Sequence, residues 1–419
     1  MKLIKGDLVF SPRLGELTTL EQGALLLDDS GVIVDVLPAA PASCDAEVYD
    51  FGKALIMPSF VDMHLHAPQY PMLGMGMDLP LLEWLNTYTF KTEARFADTD
   101  YARRAYRALA KELIAGGTTR VCMFSSLHTD ATFILMEELE RAGVTGYVGK
   151  VNMDRNSGDD LKESTEESKR ETLRWLEGCE RFRRVRPILT PRFTPSCTNE
   201  LMAWLGKLAE ERGLYVQSHL SENGGEVAWV KSLHPDCEQY WQTYDKYGLW
   251  KDHTVMAHCV HSDEREREAM LRSNVVVAHC AGSNINLCSG IAPVRPMLRE
   301  GIWVTLGSDI AGGALLAMNR VVTMSIRASK LLHMYTGGVE QFLTVEEAYY
   351  LGSTAGHRYF GADGGFAKGN PLHAIVVDDS LFPEPVRPLT LRERFERSIY
   401  MMDKASIRSV WSEGEKVVG

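Results

Sequence analysis

Five residues spread along the chain could together hold a divalent metal ion. His64 and His66 form a His-x-His pair, and His219, His258 and Asp309 follow far downstream, each at or just beyond the end of a short apolar run. Side chains alternate along a β-strand, so both imidazoles of the pair project to the same side of one backbone. Two such imidazoles, with a third histidine and a carboxylate from other strands, make a four-ligand site for a divalent metal.

A carboxylate close to this set could move protons. Glu222 follows His219 by three residues, which is about one helical turn. A metal ion lowers the pKa of water toward neutrality, and a nearby carboxylate can take the water's proton and deliver it to a leaving group. The same position also fits a first-turn glutamate that complements a helix dipole after Ser221. The neighbouring His219 favours the proton carrier.

An alternation of apolar strands and helical segments predicts the scaffold that would position these residues. Eight candidate strands cover residues 60–66, 118–124, 146–151, 185–190, 214–219, 254–258, 275–279 and 302–307. Most connections carry helical periodicity, as in residues 199–212, which end before Gly213. Eight β-α units predict an α/β fold, a (β/α)8 TIM-like barrel, whose chemistry takes place at the C-terminal ends of the strands.

The two chain ends differ from this middle segment. Short apolar runs interrupted by Gly and Asp occur at residues 7–10, 24–27 and 32–36, and strand-like patterning resumes at 374–378. We therefore expect residues 1–57 and 366–419 to form one small composite β-domain, a β-sandwich built from both ends. Residues 58–365 would form the barrel.

Composition and charge exclude several classes of function. The 419 residues are 45% hydrophobic and 24% charged, as is usual for a soluble globular protein. A formal net charge of −11 argues against a nucleic-acid partner, and no stretch approaches the ~18 apolar residues that a membrane helix needs. The start lacks a secretory apolar segment, and the eight cysteines form no Cys-x-x-Cys pair, which fits a cytoplasmic protein. Cys259 and Cys280, although each follows a histidine, are expected to be small buried thiols.

At the level of whole motifs, the sequence resembles the amidohydrolase superfamily. The resemblance lies in residues 58–66 (PSFVDMHLH), 218–222 (SHLSE), 257–258 (AH), 278–284 (AHCAGSN) and 307–309 (GSD). More narrowly, the chain is similar to the mononuclear aminohydrolase branch. Residues 66–70 (HAPQY), 78–85 (DLPLLEWL), 88–90 (YTF), 190–193 (TPRF) and 307–313 (GSDIAGG) point within that branch to guanine as the substrate. The likeness runs from about residue 50 to 375.

The resemblance implies a ligand set and an activity. One zinc ion per subunit would be bound by His64, His66, His219 and Asp309. Fe²⁺ stays possible, because these ligand types do not choose between the two metals. The implied reaction is the hydrolytic deamination of guanine to xanthine and ammonia, and the implied assembly is a homodimer.

The resemblance also implies catalytic and substrate-binding roles. Glu222 would be the proton shuttle, and His258 and Asp309 would orient the attacking hydroxide. The purine would be held by Gln69, Arg192 and Phe193, beside the metal ligand His219. These residue types suit guanine, since an Arg fork and an amide can meet its donors and acceptors and a Phe ring can stack on it.

Two positions depart from the pattern of the amidohydrolase superfamily. Cys280 is followed by Ala-Gly where Cys-Pro is usual, and Ser59 stands where Gly is common; neither change removes a ligand.

A deaminase of another purine, a pterin or an adenosine derivative would share every metal ligand and remains the main alternative to an enzyme that deaminates guanine. A binuclear hydrolase such as a dihydropyrimidinase needs a carboxylated Lys where this chain has Thr190–Pro191 and Arg192. Zinc deaminases of the base-editing type are excluded, because the chain lacks their His-x-Glu and Pro-Cys-x-x-Cys signature. A barrel that serves only as a scaffold should have lost ligands, and none is missing.

Overall fold

A computed structural model describes residues 1–41 and 45–419 of the chain. Within these residues the structure has seventeen β-strands. They are β1 (Lys2–Phe10), β2 (Thr18–Leu27), β3 (Ile33–Leu37), β4 (Glu47–Pro58), β5 (Phe60–His66), β6 (Thr118–Phe124), β7 (Thr145–Gly149), β8 (Val151–Asn152), β9 (Val185–Pro187), β10 (Thr190–Pro191), β11 (Gln217–Leu220), β12 (Val255–His258), β13 (Val276–His279), β14 (Trp303–Leu306), β15 (Ala374–Val377), β16 (Ile407–Ser412) and β17 (Glu415–Val418).

Fifteen α-helices in the described residues alternate with these strands. They are α1 (Leu81–Trp84), α2 (Phe90–Ala94), α3 (Thr99–Ala115), α4 (Thr129–Ala142), α5 (Thr165–Cys179), α6 (Asn199–Arg212), α7 (Gly224–Leu233), α8 (Gln242–Asp245), α9 (Glu264–Arg272), α10 (Ala281–Asn286), α11 (Val294–Glu300), α12 (Met318–Tyr335), α13 (Val345–Gly352), α14 (Thr354–Tyr359) and α15 (Leu391–Met401). A 3-10 turn at Ala67–Met72 follows β5, and a π-helical turn at Leu85–Thr89 joins α1 to α2.

One seven-stranded sheet combines both ends of the chain, as the sequence predicts. Its strand order is β17-β16-β15-β4-β1-β2-β3. The two ends meet where β15 pairs antiparallel with β4, for example Ala374 opposite Pro58. Residues 42–44, which fall inside the predicted terminal domain, lie outside the described residues.

Alternating side chains on this sheet enter two different apolar cores. Val9, Leu55 and Met57 pack into the large core of the central segment. Their neighbours in sequence, including Leu8 and Ile56, pack into a second core with Trp411. Because side chains alternate along β1 and β4, one face of the terminal sheet packs against the central segment. The other face has a small apolar core of its own.

The central segment contains two four-stranded parallel sheets, ordered β5-β6-β7-β9 and β11-β12-β13-β14. Backbone hydrogen bonds link them at both ends. The Gln217 N–H donates to Leu189 O at 2.9 Å, and beyond β14 the Asp309 N–H donates to His64 O at 2.8 Å. Every residue of β5 and of β6 is buried, as expected for parallel strands that helices cover.

The eight predicted central strands are all found, with three changes of outline. The predicted strand at 146–151 divides at Lys150 into β7 and β8. The predicted strand at 185–190 is two short pieces, β9 and β10, and each piece ends in a proline that has no N–H to give to a neighbouring strand. The predicted strand at 214–219 begins only at Gln217. Leu214 lies just beyond α6 and is tied to its last turn, because its N–H donates to Ala209 O. Gly213, whose backbone is left-handed, ends the helix between them. The helix predicted at 199–212 is α6.

Candidate metal and substrate site

The five candidate metal residues converge at one edge of the two parallel sheets. His64 and His66 lie on β5, His219 on β11 and His258 on β12, and Asp309 follows β14. Neighbouring parallel strands end on the same side, so strand ends that are far apart in sequence meet in space. All five side chains are buried, His64 to the extent that only 1% of it is exposed.

The ligand atoms point at a common centre. The Nε2 atoms of His66 and His219 are 3.1 Å apart. An Asp309 carboxylate oxygen, Oδ1, lies 3.2 Å from His64 Nε2 and 3.6 Å from His66 Nε2. Within each of two groups, His64 with His66 and Asp309, and His64 with His219 and His258, the candidate atoms all lie within 4.8 Å of one another.

The chemistry of these atoms fits a divalent cation. His64 Nε2 and His258 Nε2 are buried and hydrogen-bond to no atom of residues 1–41 and 45–419, which is costly unless another group satisfies them. Burial lowers the pKa of His64, and burial together with the neighbouring histidines holds the pKa of His66 and His219 far below the usual value. Neutral imidazole is the form that binds a metal.

Contacts behind the histidines fix their orientation. His219 Nδ1 lies 2.6 Å from Arg192 O, and His258 Nδ1 lies 2.8 Å from Asn284 Oδ1. Each Nδ1–H can donate to its oxygen, which leaves the Nε2 lone pair facing the centre. Asn284 lies inside the AHCAGSN segment but is not among the site residues predicted from the sequence. The Ala-Gly departure in that segment forms the start of α10, from which Asn284 reaches His258.

Asp309 is held by close contacts between β5 and the segment after β14. The Asp62 carboxylate accepts from the Ser308 N–H at 2.9 Å and from the Ser308 hydroxyl at 2.5 Å. A Cβ added at Gly307 would lie 2.8 Å from His64 Cβ, so the approach needs glycine. Asp309 itself has φ 47°, and such left-handed backbone at a non-glycine residue costs on the order of 1–3 kcal/mol.

Glu222 is placed to exchange protons at the edge of this centre. Only 6% of its side chain is exposed. Its Oε2 lies 3.5 Å from His258 Nε2, and the Ser289 hydroxyl donates to its Oε1 at 3.4 Å. Burial raises the pKa of Glu222 to about 7, with help from the charges of Glu226 and Asp309 and against the charge of His258. A carboxyl group with this pKa both accepts and gives up a proton near neutral pH.

A pocket of about 530 Å³, counting its open mouth, adjoins the centre. Its walls combine polar and apolar side chains. The lining residues are His66, Gln69, Leu81, Leu82, Trp84, Leu85, Arg192, Phe193, His219, Glu222, Glu226, His258, Leu287 and Asp309.

The structure brings together every residue that the sequence singled out. All of them line the pocket except His64, which lies behind it as a neighbour of Asp309. Phe193 packs edge-on against His219, with ring centroids 6.4 Å apart. Gln69 and Arg192 both bind Glu93, a buried residue that no motif in the sequence indicated.

Two further observations concern a buried lysine and the two cysteines that follow histidines. Lys150 is buried between β7 and β8 and pairs with Glu163 at 2.7 Å, so it is not available as a metal ligand. Cys259 and Cys280 are buried free thiols. In the part of the chain that the structure describes, no helix combines the length and apolar character needed to cross a bilayer.

The fold and the histidine–aspartate site together are those of a metal-dependent hydrolase. The chain belongs to the amidohydrolase family, and the model of that family matches residues 55–417. The resemblance drawn from the sequence motifs is thereby confirmed. The chain is 35% identical to the guanine deaminase of Dictyostelium discoideum, covering 100% of this chain and 98% of that protein. It is 34% identical to the guanine deaminase of Homo sapiens, covering 99% and 96%. A crystal structure of guanine deaminase from C. acetobutylicum with bound guanine in the active site matches with a TM-score of 0.95 at 42% identity, covering 99% of each chain.

Proposed function

We propose that this protein catalyses the hydrolytic deamination of guanine, with xanthine and ammonia as products. The observation that carries the proposal is the placement of two sets of groups in one pocket. Glu222 and the histidine–aspartate centre line the same pocket as Gln69 and Arg192. Full-length relatives bearing the name guanine deaminase, and a related structure with guanine bound, support the choice of substrate.

The proposed metal site holds one zinc ion per subunit through His64, His66, His219 and Asp309, with iron as the alternative. The donor set of three imidazoles and one carboxylate suits either ion. A bound divalent ion would lower the pKa of water toward neutrality and so supply a nucleophile at physiological pH.

Glu222 carries the protons of the reaction. It takes a proton from the attacking water and gives it to the ring nitrogen beside C2, while the oxygen forms its bond to C2. Glu222 then takes the remaining proton from the new C2 hydroxyl and delivers it to the exocyclic amine, so that the C2–N bond breaks, C2=O forms and ammonia leaves. His258 and Asp309, whose Nε2 and Oδ2 atoms are 3.8 Å apart, orient the attacking oxygen.

Guanine would be recognised by Gln69, Arg192 and Phe193. The Arg192 guanidinium and the Gln69 amide supply donors and an acceptor for the edges of the base, and the Phe193 ring supplies a flat apolar surface. The apolar side chains of Leu81 and Trp84 also line the pocket.

For the architecture, we propose a closed (β/α)8 barrel over residues 58–365 and a β-sandwich domain from residues 1–57 and 366–419. The hydrogen bonds that join the two parallel sheets at Leu189 and at His64 support the barrel. The seven-stranded terminal sheet with its own core supports the second domain. We further propose a homodimer in the cytoplasm, for which the family resemblance is the support.

Ultraviolet absorbance with purified protein tests the substrate. We expect guanine to be converted to xanthine with stoichiometric ammonia, and adenine, cytosine and a pterin to react far more slowly in parallel assays. A clear preference for one of these other heterocycles would overturn the assignment. If the protein converts none of them and also retains no stoichiometric zinc or iron, the non-catalytic scaffold is the correct interpretation.

A further inference from the structure

We propose that Glu93 is a positioning residue, which sets the two polar groups that recognise the substrate by binding both of them at once. The inference rests on the proposed deamination of guanine, because it assigns a function to the residues behind that pocket. Glu93 stands outside the set of side chains that line the pocket and reaches it only through Gln69 and Arg192.

One carboxylate group joins the two substrate-binding side chains. Glu93 Oε1 accepts from Gln69 Nε2 at 2.8 Å and from Arg192 Nη2 at 3.0 Å, and Glu93 Oε2 accepts from Arg192 Nη1 at 2.5 Å. All three residues are buried, Glu93 with 2% of its surface exposed. A two-pronged bond between guanidinium and carboxylate is both strong and planar, so it fixes the orientation of Arg192.

The contact also decides which way the Gln69 amide faces. Its Nε2 donates to Glu93, and its Oε1 accepts from the Ala311 N–H at 2.9 Å. A flip of the amide would place its oxygen against the Glu93 carboxylate and its NH₂ against the Ala311 N–H, so both bonds would be lost. Gln69 is left with one N–H and one oxygen lone pair for the substrate.

Charge gives Glu93 a second effect on specificity. A guanidinium buried as deeply as that of Arg192 is costly without a partner, and its charge would draw anions into the pocket. With Glu93 bound, the Arg192–Glu93 pair carries no net charge. The substrate-binding wall therefore suits a neutral heterocycle that offers hydrogen-bond acceptors, and it disfavours an anionic ligand.

Glu93 also links Gln69 and Arg192 to the segment that carries apolar lining residues of the pocket. It lies on α2, which the π-helical turn joins to α1. Leu81 and Trp84 of α1 line the pocket, and Phe90 of α2 lies under the Arg192 guanidinium, 5.5 Å from carbon to ring centroid. The placement of the apolar wall and the orientation of Arg192 thus depend on the same short helical segment.

The test compares Glu93→Gln with a matched control, Glu138→Gln. Glu138 is as buried as Glu93 and also pairs with arginines, but it lies on α4. We expect Glu93→Gln to raise KM for guanine by about 10- to 100-fold, the range for losing hydrogen bonds to a charged group. We expect kcat to fall by no more than a few-fold, with full metal content. Glu138→Gln should leave KM unchanged, and Glu93→Asp, which keeps the charge, should recover part of the affinity.

A double variant separates positioning from a general structural effect. In an Arg192→Ala background, adding Glu93→Gln should raise KM by a much smaller factor than in wild type, because Gln69 is then the one group of the two that Glu93 still orients. Equal effects of Glu93→Gln with and without Arg192 would overturn the proposal, as would an unchanged KM in the single variant. Should Glu93→Gln fold poorly, Glu93→Asp carries the same comparison. Absence of guanine turnover in the wild-type protein would instead refute the proposed function.

Discussion

Replacement of Glu222 by Gln is the sharpest test of the proposed chemistry. Gln keeps the volume of Glu and can keep the contact with the Ser289 hydroxyl, but it cannot accept and return a proton. A general acid–base contributes about 10²- to 10⁴-fold to a rate. We therefore expect kcat for guanine to fall by that factor, while the metal content stays at the wild-type value, since the clustered ligand atoms come from His64, His66, His219, His258 and Asp309.

The same substitution has an expected effect on stability, with a definite sign. The pKa of Glu222 is raised from 4.5 to about 7, so between these pH values the folded state holds more protons than the unfolded state. Stability then falls as pH rises through this window. The difference of about 2.5 units corresponds to about 3 kcal/mol above pH 7. In metal-free protein, Glu222→Gln should remove this cost and raise the unfolding free energy at pH 8, with less gain at pH 5.

Two assays check these expectations. Steady-state kinetics with guanine, together with metal analysis of each sample, measure the catalytic effect, and Glu138→Gln serves as the control for loss of a buried carboxylate elsewhere. Urea unfolding of the metal-free proteins at pH 5 and pH 8 measures the effect on stability. A Glu222→Gln variant with kcat within tenfold of wild type would refute the role of Glu222 as proton shuttle.

Three further predictions follow from the same geometry. Dialysis against a chelator should abolish turnover, and zinc or iron should restore it; activity that survives complete metal removal, checked by elemental analysis, would contradict the proposed centre. Asn284→Ala should lower kcat by about 10- to 100-fold, because the His258 Nδ1–H loses the partner that orients its ring; an unchanged kcat would show that this contact is dispensable. Burial and the charge of His258 lower the pKa of His279 from 6.5 to about 4, so the unfolded state binds more protons between these values and stability falls as pH falls. The contribution of His279 to that loss is about 2 kcal/mol by pH 5. Urea unfolding should therefore show that lowering the pH from 7 to 5 is about 2 kcal/mol less favourable for the unfolding free energy of wild type than for that of His279→Asn.

The strands that carry the site could be predicted because their sequences are distinctive at short range. The central strands are short apolar runs between helical segments, and three of them end in histidine: β5, β12 and β13. Only the boundaries differed. The predicted fourth strand is interrupted after Pro187, and the Leu214 N–H donates to Ala209 O at the end of α6. Such boundaries depend on individual hydrogen bonds, which a hydrophobic pattern does not report.

The contacts behind the site could not be predicted in the same way. Glu93 lies in the charged segment KTEAR, which looks like an exposed helical surface, yet the fold buries it against Arg192, 99 positions away in the chain. Asp62 lies within residues 58–66, which resemble the amidohydrolase superfamily, but only the structure shows that its carboxylate accepts a hydrogen bond from Ser308. Nothing in the local sequence distinguishes a buried carboxylate that has a distant partner from a solvated one.

By itself the sequence determined which residues could perform the chemistry, because imidazole and carboxylate side chains at strand ends have few other uses in such an arrangement. It also indicated the α/β alternation and the family. Tertiary structure alone decided how these groups face one another: the lowered pKa of His64, His66 and His219, the pKa of Glu222 near 7, and the joint hold of Glu93 on Gln69 and Arg192. These properties arise from burial and from contacts between distant segments, and both exist only once the chain has folded.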